Sequence, residues 1–71
     1  MSNRKISIVV NGQPAEVPSG LSVLGLLGHL EIEPSRVAVE LNRQIARKAA
    51  WAETQVENGA RIEIVQFVGG G

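Results

Sequence analysis

The chain has 71 residues, 44% hydrophobic and 20% charged, with seven basic side chains against seven acidic ones. That size suits one domain burying only about 60% of its unfolded surface; near-average composition argues against disorder, and balanced charge with one Trp and one Phe offers no basic stripe or stacking platform for nucleic acid. The absence of cysteine excludes a disulfide frame, a thiolate zinc site and an internal nucleophilic thiol, and no run approaches the ~18 apolar residues of a membrane span. Met1 to Lys5 is charged, but the strand-like run after it is too short for the apolar core of a signal peptide, so the cytoplasm is the expected location.

Ile6-Ser7-Ile8-Val9-Val10 is rich in β-branched residues and ends at Asn11-Gly12, the dipeptide best fitted to a two-residue hairpin because both positions accept positive φ. Gln13 to Val17 returns as a second strand. Pro14 lacks an amide donor, which places this strand at the sheet edge and leaves the first free to pair inward. After the break at Pro18-Ser19-Gly20, Leu21-Ser22 reads as a hydrophobic residue ahead of a serine N-cap, with Leu26 placed to close a staple onto Leu21. Val23, Leu24, Leu27 and Leu30 recur at helical spacing and predict the buried stripe. Gly25 and Gly28 each cost up to about 1 kcal/mol against alanine, so packing must stabilise the helix, and the two glycines are expected to permit close approach to the sheet. His29, the sole histidine, stands near the helix C-terminus, where a solvated or dipole-favoured imidazole is expected rather than a metal ligand.

Glu31 to Arg36, holding Pro34, reads as a loop. Val37-Ala38-Val39-Glu40-Leu41 alternates as a half-buried strand with Val37, Val39 and Leu41 pointing one way. Asn42-Arg43 turns the chain, Gln44-Ile45-Ala46 adds a short strand, and Arg47 to Thr54 reads as a helical turn anchored by Trp51, an isolated indole expected to lie in the core. Asn58-Gly59 leads into the final strand, where Ile62 and Ile64 face inward. Val65 and Phe67 fall on the opposite parity. A regular strand exposes them as an apolar, partner-binding patch, whereas a bulge buries them. Hairpin, helix, strands and a final strand beside the first predict an α+β fold, a ubiquitin-like β-grasp with a mixed sheet. One main helix packs across one sheet face, over Ile6, Ile8, Val39, Ile62 and Ile64.

The domain is expected to span 1–68 and to hand over to a glycine tail at 69–71. With glycine at about 7% of ordinary residues, three in a row at a chosen terminus arise by composition in roughly one chain in a few thousand, so the tail reads as selected; a linker is the alternative. A tail without side chains can lie in a narrow groove and present the Gly71 carboxylate, which is ionised at neutral pH and is a poor electrophile until activated. Gly71 is therefore the candidate for covalent modification, Gly69 and Gly70 are the residues that thread a partner's active site, and an activating partner is implied. The chain has no Asp, no phosphate-cradling loop and no Ser/His/Asp set, so it is expected to catalyse nothing itself and to bind no cofactor or metal.

Val37-Ala38-Val39-Glu40-Leu41-Asn42-Arg43-Gln44-Ile45, Trp51-Ala52-Glu53-Thr54 and the closing Arg61-Ile62-Glu63-Ile64-Val65-Gln66-Phe67-Val68-Gly69-Gly70-Gly71 resemble the ThiS family of sulfur carrier proteins of thiamin biosynthesis. The likeness covers nearly the whole chain. A double glycine is common to all ubiquitin-like proteins, but the combination with the asparagine turn and Trp-Ala-Glu-Thr is not. The chain departs from the family at Ala46-Arg47-Lys48, commonly Val-Pro-Arg, and at Asn58-Gly59-Ala60, commonly Gly-Asp; both are expected in surface turns. The resemblance implies that a ThiF-like adenylating enzyme uses ATP and magnesium to make the Gly71 acyl-adenylate. A sulfur donor such as a cysteine desulfurase then supplies sulfur as a persulfide, and the thiocarboxylate feeds thiazole synthase. On this view the chain is a protein co-substrate. A ubiquitin-like modifier joined to lysines, a carrier for another pathway such as molybdopterin, and a plain β-grasp interaction module are the alternatives.

Overall fold

The computed structural model describes residues 4–67. Strand β1 (Lys5–Val10) and strand β2 (Gln13–Pro18) are joined by Asn11 and Gly12 at φ 50° and 81°, the left-handed pair that a tight hairpin requires. β2 is the edge strand, as the missing amide of Pro14 demands. Helix α1 (Val23–His29) starts where the Ser22 Oγ accepts the Gly25 N–H at 3.0 Å. It ends in a Schellman arrangement, with Glu31 N–H donating to the Gly28 carbonyl at 3.0 Å and Ile32 N–H to the Leu27 carbonyl at 2.9 Å. Glu31 holds φ 62°, a conformation that glycine usually fills at this position.

The buried stripe of α1 differs from the expected one. Val23, Leu26 and Leu27 are fully buried and Leu30 packs against them, whereas Leu24 is 40% exposed. At about 100° per residue the sequence offers two overlapping stripes that share Val23, Leu27 and Leu30; the docked helix faces the sheet with the one containing Leu26, and Leu24 swings to the side. Nor do the helix glycines serve close approach to the sheet. A Cβ on Gly25 would meet Leu21 Cδ2 at 3.3 Å and Ser22 Oγ at 3.4 Å, and one on Gly28 would meet nothing within 4 Å.

The expected loop contains a 3-10 turn at Pro34–Arg36, begun by the Glu33 carboxylate accepting from the Ser35 hydroxyl at 3.0 Å. Strand β3 (Val37–Leu41) and strand β4 (Gln44–Ala46) follow, joined through Asn42 and Arg43 at φ 52° and 70°. A second 3-10 turn, Lys48–Ala50, delivers Trp51 to the core, where its Nε1 donates to the Ala46 carbonyl at 2.7 Å and so leaves no buried donor unpaired. Strand β5 (Arg61–Gln66) completes a five-stranded sheet of order β2-β1-β5-β3-β4, in which β1 and β5 run parallel and the other pairs antiparallel.

The core between helix and sheet holds Ile8, Val39 and Ile62 as expected, with Ile6 and Ile64 partly buried at its margin. Val56 and Ala60 join it as well, the former tied to the helix start by its N–H donating to the Leu21 carbonyl at 2.9 Å. The two departures from the family pattern are thus not wholly in surface turns. Arg47, Lys48, Asn58 and Gly59 are exposed, but Ala46 packs against the core and Ala60 is buried. Small apolar side chains close both stretches inward.

Candidate functional site

The candidate site is the end of β5 and the sheet face around it. Three asparagines hold β5 in place, Asn42 and Asn58 at its start and Asn11 farther along. Asn11 ends β1 with its N–H on the Ile62 carbonyl at 2.8 Å; its Oδ1 then accepts the Ile64 N–H at 2.7 Å and its Nδ2 donates to the Ile64 carbonyl at 3.2 Å. One side chain thus supplies the next rung of the parallel ladder after the β1 backbone has turned away. Asn42 does the corresponding work from β3, its N–H donating to the Arg61 carbonyl at 2.7 Å and its Oδ1 accepting the Arg61 N–H at 2.9 Å. Asn58 Oδ1 accepts the Ser7 N–H at 2.9 Å, beside Gly59, which donates to the Ser7 carbonyl at 2.7 Å. Sequence reasoning identified these asparagines as turn formers only. Their second role lies in contacts between residues up to 53 positions apart, which no local pattern encodes.

β5 pairs with β3 residue for residue, from Val37 opposite Gln66 to Leu41 opposite Ile62, with no bulge. Parity therefore holds to the end of the strand. Val65 is 60% exposed and Phe67 63% exposed on the face away from α1, and Phe67 N–H donates to the Arg36 carbonyl at 2.9 Å, which keeps the chain against β3. Of the two outcomes that the sequence left open, exposure is the observed one. Ile45, 77% exposed, is a further apolar residue of this face. Its register opposite Glu40 reveals it, where the sequence showed only a short strand. Ala38, opposite Val65, adds another small exposed apolar surface.

Gly69, Gly70 and Gly71, the candidates for threading and for modification, lie outside the described residues, as does the expected domain boundary after Val68. Among the described residues no group of three or more His, Cys, Asp or Glu is placed to hold a metal ion, and no helix is long and apolar enough to cross a membrane. What the described region offers is a presentation surface: a central strand pinned from both sides, with apolar side chains on its free face.

Comparison with known proteins agrees with this architecture. Residues 6–71 match the ThiS family. The chain is 30% identical over 66 residues to the sulfur carrier protein ThiS of Escherichia coli, a match covering 93% of this chain and 100% of that protein. It is 38% identical over 66 residues to a thiazole synthase of Paramagnetospirillum magneticum; there the match covers 93% of this chain but 20% of the other, so the chain spans a fifth of that relative's length. The crystal structure of the thiamine biosynthesis protein ThiS from Geobacter metallireducens superposes with a TM-score of 0.82 at 35% identity, covering 93% of this chain and 100% of that one. The strand order, the α-helix across one face and a family match running from β1 through Gly71 lead to one conclusion: this β-grasp chain belongs to the ThiS family of sulfur carriers.

Proposed function

We propose that the chain carries sulfur for thiazole formation in thiamin biosynthesis and that Gly71 is the residue converted. The Gly71 carboxylate attacks the α-phosphorus of ATP, held with magnesium by a ThiF-like adenylating enzyme, and pyrophosphate leaves. A persulfide from a donor such as a cysteine desulfurase displaces AMP from the acyl carbon. A thiol then attacks the inner, donor-side sulfur of the resulting acyl disulfide, releasing the acyl thiocarboxylate and a disulfide between that thiol and the donor. Thiazole synthase takes the sulfur, and the carboxylate returns. The partner supplies the charge stabilisation and this chain supplies recognition and reach. Val65 and Phe67 contribute the apolar contact beside the tail, with Gly69 and Gly70 threading the groove.

The observation that supports this reading is the family match extending through Gly71, together with full coverage of a sulfur carrier protein. Incubation with the adenylating enzyme, ATP, magnesium and a sulfur donor, followed by intact-mass analysis, should show an oxygen-for-sulfur mass increase. Removal of Gly71 should abolish it, since one residue moves the end by about 3.3 Å and about 1 Å of misplacement can cost on the order of a hundredfold in rate. Thiocarboxylation of the shortened chain at the parent rate would refute the assignment of Gly71, and higher-mass conjugates would identify a modifier instead.

A further inference from the structure

Two Asn-Gly dipeptides, Asn11-Gly12 and Asn58-Gly59, lie on the surface. In this dipeptide the asparagine side chain is open to attack by the next backbone nitrogen, because glycine sets no Cβ in the path. The reaction needs the Asn Cγ within about 3 to 3.5 Å of that nitrogen, with the intervening peptide turned to face it. The fold restrains the two sites differently. At Asn58 the reacting nitrogen itself is tied: Gly59 N–H donates to the Ser7 carbonyl at 2.7 Å, while Asn58 Oδ1 accepts the Ser7 N–H at 2.9 Å. Turning that peptide breaks a backbone bond to the middle of β1. At Asn11 the nitrogen is free, since Gly12 N–H has no hydrogen-bond partner among the described residues. Only the side chain is held, Oδ1 on the Ile64 N–H at 2.7 Å and Nδ2 on the Ile64 carbonyl at 3.2 Å, both bonds exposed. Once those two bonds open, the carboxamide can swing back and the peptide can turn with no further hydrogen bond lost.

We propose that Asn11 is a site of spontaneous deamidation whose rate is set by the hold of β5 on its side chain. Base takes the Gly12 amide proton, the Gly12 nitrogen bonds to Asn11 Cγ, and the Cγ–Nδ2 bond breaks. Ammonia leaves and a cyclic imide remains. Water then opens the ring at either imide carbonyl. Attack at Cγ gives aspartate, and attack at the main-chain carbonyl carbon gives isoaspartate, with the backbone running through the former side chain. One ammonia is lost, one water is gained and nothing is oxidised or reduced. In the aspartate product one carboxylate oxygen still accepts the Ile64 N–H, but the other meets the Ile64 carbonyl where Nδ2 had donated. In isoaspartate an extra methylene also enters the two-residue hairpin turn. Either product loosens β5 beyond Ile62, so detachment of the strand permits the modification and the modification makes the detachment permanent. The altered chain keeps its core and loses the fixed direction of the strand that leads to Gly71.

The test incubates the chain warm at mildly alkaline pH, folded and in urea, and follows the amide-to-acid change at each site by peptide mapping with mass spectrometry. In urea Asn11 and Asn58 should react at similar rates. In the folded chain both should slow, and Asn11 should lead Asn58 by about 2- to 10-fold, the weight of one backbone hydrogen bond. Asn11→Asp, the aspartate product made directly, should melt about 2 to 8 °C below the parent. Its Ile64 amide should lose hydrogen-exchange protection while that of Leu26 keeps it. Conversion of Asn58 as fast as Asn11 in the folded chain would overturn the proposal, as would conversion of Asn11 at the same rate folded and in urea. An Asn11 that stays intact in the folded chain overturns it equally, and these rates need only the parent chain. An Asn11→Asp chain as stable as the parent and as protected at Ile64 would refute the loosening of β5.

Discussion

The Asn11 side chain offers the sharpest test of how β5 is held. Its two hydrogen bonds to Ile64, at 2.7 and 3.2 Å, are exposed, so each falls toward the lower part of the usual net range, and together they contribute about 1 to 2 kcal/mol. Asn11→Gly removes both while tolerating the φ of 50°. It should therefore lower stability by about that amount, or by slightly more because glycine frees the unfolded chain. At about 4 to 8 °C per kcal/mol for a domain this small, the loss is measurable. Asn11→Ala loses the same bonds and adds left-handed strain, for a further cost of about 1 kcal/mol after its smaller unfolded-state entropy is counted. Urea denaturation followed through the buried Trp51 gives the totals, and amide hydrogen exchange gives the location. In Asn11→Gly the Ile64 amide should lose protection well beyond that of Leu26, whose N–H lies in the helix on the Ser22 carbonyl. Equal loss at both amides, or none at Ile64, would refute the idea that one side chain extends the ladder.

Leu27→Ala removes a fully buried side chain and should cost about 2 to 5 kcal/mol by denaturant titration, whereas Phe67→Ala, on the free face, should stay within about 0.5 kcal/mol of the parent; a reversal of that order would place the core on the wrong side of the sheet. Glu31→Gly relieves a left-handed φ of 62° at the helix exit and should raise stability by about 1 kcal/mol in thermal melts. No change would mean that Glu31 is held there at no conformational cost.

Where the sequence was legible, a short-range rule decided the matter. The Asn11-Gly12 hairpin, the Ser22 cap and the edge position of Pro14 each follow from one or two residues acting on their own backbone, with no need of tertiary packing. The alternation of Val37, Val39 and Leu41 likewise settled their face. Leu24 and Leu26 could not be ranked this way, because either completes a helical stripe and only the angle at which α1 meets the sheet chooses between them. Gly25 and Gly28 misled for a related reason: missing side chains suggest close approach, yet their surroundings are the helix cap and open space. Val65 and Phe67 were visible as a break in parity, but whether the break was a bulge depended on β3 pairing with β5 throughout. The Ile45 contribution required the register itself.

The position of β5 also governs the order in which this molecule can assemble. It is last in the chain yet central in the sheet, flanked by β1 and β3, so residues 4–60 can make at most two separate hairpins and a helix with no strand to join them. Each hairpin then shows the world an inner edge, β1 on one and β3 on the other, of the kind that templates association with other chains. Contacts spanning 53 positions must close late, after the entropy of a long loop has been overcome. A chain interrupted before Arg61 would thus be a species prone to clumping rather than a smaller folded unit, and acquisition of the native sheet and readiness of the tail-bearing strand would coincide in a single cooperative step.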